Sequence, residues 1–109
     1  MTKLSLTDVN VNAFPEATPA SDTAHSVVVP ASPAEQTITV PAGANYAKFT
    51  SDANFYATFD GSTVAVPGNS AASAATVSVL NPGVKYIRSV ATIKLNATGL
   101  AHITVEFFE

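Results

Sequence analysis

From Gln36 onward, turn signals recur roughly every 8–12 residues, and between them apolar and polar residues alternate instead of following a 3.6-residue period. Such punctuation leaves room only for short strands. "TITV" (Thr37–Val40) stops at Pro41-Ala42-Gly43, and "NYAKFTS" follows it. "TVSVL" (Thr76–Leu80) ends at Asn81-Pro82-Gly83, where Pro in the second position and Gly in the third suit a type II turn. "VKYIRSV", "ATIKLNA" and "AHITVEFF" complete the set. In the last of these, Ile103, Val105 and Phe107 alternate with His102, Thr104 and Glu106, the pattern of a half-buried strand with one polar side. Seven or eight strands in one domain predict an all-β fold, a single antiparallel β-sandwich or jelly-roll-like barrel.

The stretch "FYATFDGSTVAV" (Phe55–Val66) carries the most specific local expectation. Asp60-Gly61 is a favoured pair for a two-residue type I′ turn, in which both central residues take positive φ. Folding there sets Phe59 opposite Ser62, Ala57 opposite Val64 and Phe55 opposite Val66. Phe55, Ala57, Phe59, Val64 and Val66 then share one apolar face, because side chains alternate along a strand.

Composition changes near residue 35. Residues 1–35 hold four of the seven prolines, Pro15, Pro19, Pro30 and Pro33. Proline lacks an N–H and biases its predecessor toward extended conformations. The segment is expected to be an extended N-terminal arm, followed by a sandwich or barrel domain over 36–109, with possible edge strands at Leu4–Val11 and Ser26–Val29. Leu4, Leu6, Val9, Val11, Phe14, Val27, Val28 and Val29 are too apolar for a solvated linker. They either complete the domain's own sheet or contact a partner, as β-augmentation or strand exchange allows. "PGNSAASAA" is small, uncharged and of low complexity, as a surface loop is.

Charge narrows the function classes. Only 12% of the 109 residues are Asp, Glu, Lys or Arg, against 47% hydrophobic, whereas roughly 25% charged is usual. A surface so short of charge suits a protein covered by neighbouring subunits. Lys3, Lys48, Lys85, Arg88 and Lys94 are the only basic residues apart from two histidines, and they form no cluster able to track a phosphate backbone, so no nucleic-acid partner is expected. The absence of cysteine removes disulfide and thiol chemistry. "MTKLSLTDVN" lacks the apolar core of a signal peptide, and no apolar run approaches the roughly 20 residues of a membrane span, so no membrane partner is expected.

No motif for chemistry stands out. His25 and His102 have no ligand-type neighbour at metal-site spacing, and neither a nucleophile elbow nor a glycine-rich phosphate cradle is present. Asp52 and Asp60 are separated by an intervening strand, too far apart in the expected hairpin for a paired-carboxylate mechanism. The chain is therefore expected to be a non-enzyme without metal or cofactor. Tyr46, Tyr56 and Tyr86 are candidate surface aromatics for sugar stacking, though Tyr is also simply favoured in strands.

The run "TITVPAGANYAKFTSDANFYATFDGSTVAVPG", followed by "VLNPGVKYIRSVATIKL" and "ITVEFF", resembles a group of small tailed-bacteriophage virion accessory proteins. The matching elements are Thr37–Gly43, Tyr46–Phe49, Phe55-Tyr56, Asp60-Gly61, Ala65–Pro67, Gly68–Ala75, Asn81-Pro82 and Ile103–Phe108. The resemblance implies a capsid decoration (cement) protein that binds between major capsid proteins and stabilises the head. A homo-oligomer is then expected, with a trimer favoured, on the capsid surface of a virion and made in the host cytoplasm. A neck, tail or fibre component and a carbohydrate-binding module for host recognition are the alternatives. The residues before Thr37 depart from the pattern, since the similar proteins begin close to that element.

Overall fold

The computed structural model describes residues 1–4, 19–68 and 75–109. Among them are eight strands and no helix: β1 (Ala24–Val29), β2 (Gln36–Thr39), β3 (Tyr46–Ser51), β4 (Tyr56–Thr58), β5 (Val79–Leu80), β6 (Val84–Tyr86), β7 (Thr92–Asn96) and β8 (Ala101–Phe108). They form two four-stranded sheets, ordered β1-β8-β3-β6 and β2-β7-β4-β5, with every pairing antiparallel. The pairs β1–β8, β2–β7, β3–β6 and β4–β5 nest one inside the next along the chain, and successive pairs fall in alternate sheets. That wrapping is the jelly roll. The all-β sandwich expected from the alternation is the fold observed.

Alternation places the core. Ile103, Val105 and Phe107 of β8, Ala47 and Phe49 of β3, and Ile93 and Leu95 of β7 all turn into the space between the sheets, with Phe55 and Ile87 beside them. The Ile, Leu, Val and Phe side chains among them contribute about 1.5–3 kcal/mol each when fully buried. Every buried side-chain polar atom among the described residues has a hydrogen-bond partner, and the buried Thr58 gives its hydroxyl to the Ser62 carbonyl at 2.6 Å.

The Phe55–Val66 hairpin is not formed. Gly61 takes φ +83°, but Asp60 keeps negative φ, so the turn is not type I′. Asp60 instead accepts the Ser62 N–H on its own carboxylate at 3.0 Å, which ends the strand in an Asx-type bend. The reason is that β4 already has both edges occupied, Tyr56 standing opposite Asn96 of β7 and opposite Leu80 of β5. No edge is left for residues 62–66. Phe55, Ala57 and Phe59 do pack on the core as a set, whereas Val64 is buried apart from the main cluster, its N–H held by the Glu35 carboxylate at 2.8 Å. "TVSVL" likewise shortens to the two residues of β5.

The boundary near residue 35 also moves. Ala24–Val29 is a strand of the sandwich itself, paired with β8 along its whole length, so the domain starts well before Gln36.

Candidate interaction surface

Of the apolar residues expected to meet a partner, Val29 is fully buried in the domain core and Val27 packs against that core. Only Val28 of the three faces outward, 49% exposed. Leu6, Val9, Val11 and Phe14 lie outside the described residues. Leu4 is half-buried and lies against the end of β8, its N–H donating to the Glu109 carbonyl at 3.2 Å, while the Glu109 N–H donates to the Thr2 carbonyl at 2.8 Å.

Asp22 fastens this first turn of chain. Its carboxylate accepts the Thr2 N–H at 3.0 Å and the Thr23 hydroxyl at 2.9 Å, and the Met1 amine stands 3.6 Å away. The Thr23 hydroxyl, the Thr2 N–H and the Met1 charge together hold the Asp22 carboxyl below the usual range. An extended arm was expected here; its residues 1–4 are clipped to the domain.

The three tyrosines do not form one platform. Tyr46 of β3 and Tyr86 of β6 stand opposite each other and meet edge to face, with ring centroids 5.4 Å apart. Tyr56 belongs to the other sheet and is half-buried. Sequence alternation identified all three as strand residues and could not assign them to sheets.

Apart from Leu100, in the connection between β7 and β8, the exposed large apolar side chains among the described residues mark the two lateral edges of the sandwich. Leu80 on β5, with Val77 just before it, and Val84 and Tyr86 on β6 lie along one lateral edge, Leu80 on the outer face of one sheet and Val84 and Tyr86 on that of the other, where Tyr86 reaches 62% exposure. Val28 on β1 lies at the opposite edge of the Tyr86 sheet. The β5–β6 turn is held by Asn81, whose φ is +43°. Its Oδ1 accepts the Phe55 N–H at 3.0 Å, its Nδ2 donates to Asn54 Oδ1 at 2.9 Å, and its own N–H donates to the Phe55 carbonyl at 2.9 Å. Gly83 follows at φ +71°, as the expected Asn81-Pro82-Gly83 turn requires. The turn was legible in the sequence; the clamp onto Asn54 and Phe55 was not, because its partners lie 26 and 27 residues away.

His102 also has a partner that its sequence neighbours concealed. Its Nδ1 lies 2.7 Å from Asp52 Oδ2, its N–H donates to Asp52 Oδ1 at 2.8 Å, and the Asp52 N–H donates back to the His102 carbonyl at 3.2 Å. The His102 backbone N–H, followed by its ring, holds the Asp52 carboxyl below its ordinary value. Both side chains are more than half exposed. His25 packs its ring edge-on against Phe107, centroids 5.4 Å apart. Among the described residues no three His, Cys, Asp or Glu side chains converge as metal ligands would.

No protein-family model matches this chain, and neither a curated protein nor a solved structure matches it.

Proposed function

We propose that this protein is a structural virion component, a capsid decoration protein that binds between major capsid proteins as a homo-oligomer and stabilises the head by buried interface area. The observation that carries the reading is the apolar edge formed by Val77, Leu80, Val84 and Tyr86 in a chain with only 12% charged residues. Large apolar side chains exposed along one edge suit a protein contact, and scarce charge lowers the desolvation cost of covering the rest. The resemblance of the Thr37–Gly43, Phe55-Tyr56 and Ile103–Phe108 elements to phage accessory proteins supports the same reading. The jelly roll, used by viral capsid and lectin domains among others, agrees with it only by analogy of fold. On this reading the protein is made in the host cytoplasm, performs no chemistry and needs no cofactor.

The test joins composition to mutagenesis. Quantitative mass spectrometry of purified particles is expected to find hundreds of copies, and the triple variant Leu80→Ser, Val84→Ser, Tyr86→Ser is expected to fold normally yet fail to attach to heads. A dozen copies or fewer assigns the protein to the neck, tail or a fibre. Absence from particles, or normal attachment of the triple variant, overturns the assignment or its contact surface respectively.

A further inference from the structure

The two lateral edges differ in their backbones as well as their side chains. The Phe107 N–H donates to the Thr23 carbonyl at 2.8 Å, which makes Thr23 and Phe107 a hydrogen-bonded pair one step before Ala24 meets Glu106. Such pairs alternate along an antiparallel ladder. His25, Val27 and Val29 therefore bond to β8, and Ala24, Ser26 and Val28 turn their N–H and C=O groups outward. The Val40 N–H donates to the Ala91 carbonyl at 3.0 Å, so the same phase turns the groups of Thr37 and Thr39 outward from β2. Between these two edges lies an open recess of about 390 Å³ lined by His25–Val28 and Gln36–Thr39. Among the described residues no strand pairs with either outward edge.

Sheet edges of this kind are normally blunted by charge, proline, a bulge or brevity. The β6 edge has two of these: it spans three residues, and Lys85 points to its core-facing side opposite buried Ala47. The β1 edge has neither, and its proline, Pro30, stands outside the strand as Pro82 does for β6. "AHSVVV" runs six residues with no Lys, Arg, Asp, Glu or Pro, and "QTIT" of β2 is equally uncharged.

From this contrast we infer that the outer edge of β1 pairs antiparallel with the same edge of a second copy, about a two-fold axis at Ser26. The register is self-complementary. Ser26 meets Ser26, and Ala24 meets Val28 on both sides of the axis, so all three outward-facing residues exchange both backbone hydrogen bonds. No like charges oppose one another, because His25 falls opposite Val27. The two β1-β8-β3-β6 sheets become one continuous eight-stranded sheet, and the apolar β5/β6 edges lie at its two far ends, free for the contacts proposed above. A closed two-fold pair thus takes the place of the trimer expected from resemblance.

Six residues at about 3.3 Å make a seam of roughly 20 Å, and two layers about 10 Å apart limit the patch to on the order of 400 Å² per copy. Standard interfaces bury roughly 800 Å² per partner, so the pair is reversible and concentration-dependent in solution. A shared particle surface raises the effective concentration enough to close it.

Sedimentation velocity of the full chain from micromolar to millimolar concentration tests the pairing, with a charge swap at the axis. The wild type is expected to shift from monomer toward dimer. Ser26→Lys and Ser26→Glu place like charges face to face, so each alone is expected to stay monomeric, and their equimolar mixture to dimerise again. Should either lose its fold, Ser26→Pro removes only an N–H that no described residue of the monomer accepts; it is expected to keep its circular dichroism and lose the dimer. A wild type that stays monomeric or forms trimers overturns the inference. So do variants that self-associate like the wild type, or a mixture that fails to recover. Slow amide exchange at Ala24, Ser26 and Val28 that does not depend on concentration also overturns it, by assigning the edge to another part of the same chain.

Discussion

The β5/β6 side and the β1/β2 side of this sandwich carry different means of contact. The first exposes apolar side chains on strands of two and three residues, with its backbone edge blunted by that brevity and an inward-facing Lys85. The second exposes a long uncharged backbone edge and, among the described residues, only Val28 as a large exposed apolar side chain. Side-chain contact tolerates many orientations of a partner, whereas a strand edge dictates direction and register. One edge is suited to an irregular neighbour and the other to a copy of itself.

The sharpest way to break this distinction is to place proline in each phase of β1. Val27→Pro removes a ladder hydrogen bond to β8 and is expected to cost roughly 3 kcal/mol or more, or to prevent folding. Ser26→Pro, one residue away, is expected to lower stability by less than about 1 kcal/mol, since edge positions with solvent-facing N–H groups accept proline. Denaturant unfolding of both variants decides; equal losses mean that the outward phase has been assigned to the wrong residues.

Asn81→Ala addresses the opposite edge. It deletes the bond to the Phe55 N–H and the bond to Asn54, and puts alanine at positive φ. A loss of about 2–3 kcal/mol is expected. Asn81→Asp retains the acceptor for Phe55 and is expected to lose less. If both melt like the wild type, the β5–β6 turn is held by something other than this clamp.

Gly61→Val is the next smaller effect. No atom lies within 4 Å of the added Cβ, so the cost comes from forcing a β-branched residue to φ +83° and is about 1–2 kcal/mol. Calorimetry showing no change would place Gly61 outside the left-handed region.

The smallest effect is the pH response of the exposed Asp52–His102 pair beside β1. Because the folded Asp52 carboxyl titrates below its ordinary value, its contribution is present above about pH 4. That contribution is lost as pH falls through the lower folded value. The melting temperature of Asp52→Asn is therefore expected to lie slightly below the wild type at neutral pH and to converge with it in acid. A gap that widens on acidification reverses the sign and rules the pairing out.

Much of this molecule was present in its local pattern. The alternation of Ile103, Val105 and Phe107 with His102 and Thr104 determined β8 and its buried face, and Asn81-Pro82-Gly83 determined the β5–β6 turn. Period-two alternation needs only the residues themselves, because successive side chains of any strand point to opposite faces. Which strands pair is another matter. "FDGST" carries a hairpin signal, yet β4 finds β7 and β5, separated from it by many residues, and those partners fill both of its edges. "HSVVV" alternates equally well for its own sheet or a neighbour's, and only the pairing with β8 assigns Val27 and Val29 to the domain core. The bonds of Asp52 to His102 and of Asn81 to Phe55 were invisible for the same reason. The sequence by itself determined where most of the strands lie, the face each buries and the Asn81-Pro82-Gly83 turn, since these follow from one residue's relation to its neighbours. The tertiary structure alone decided the jelly-roll pairing, the clamps and the open β1 edge, since a hydrogen-bonding edge is defined only by what has, and has not, come to lie beside it.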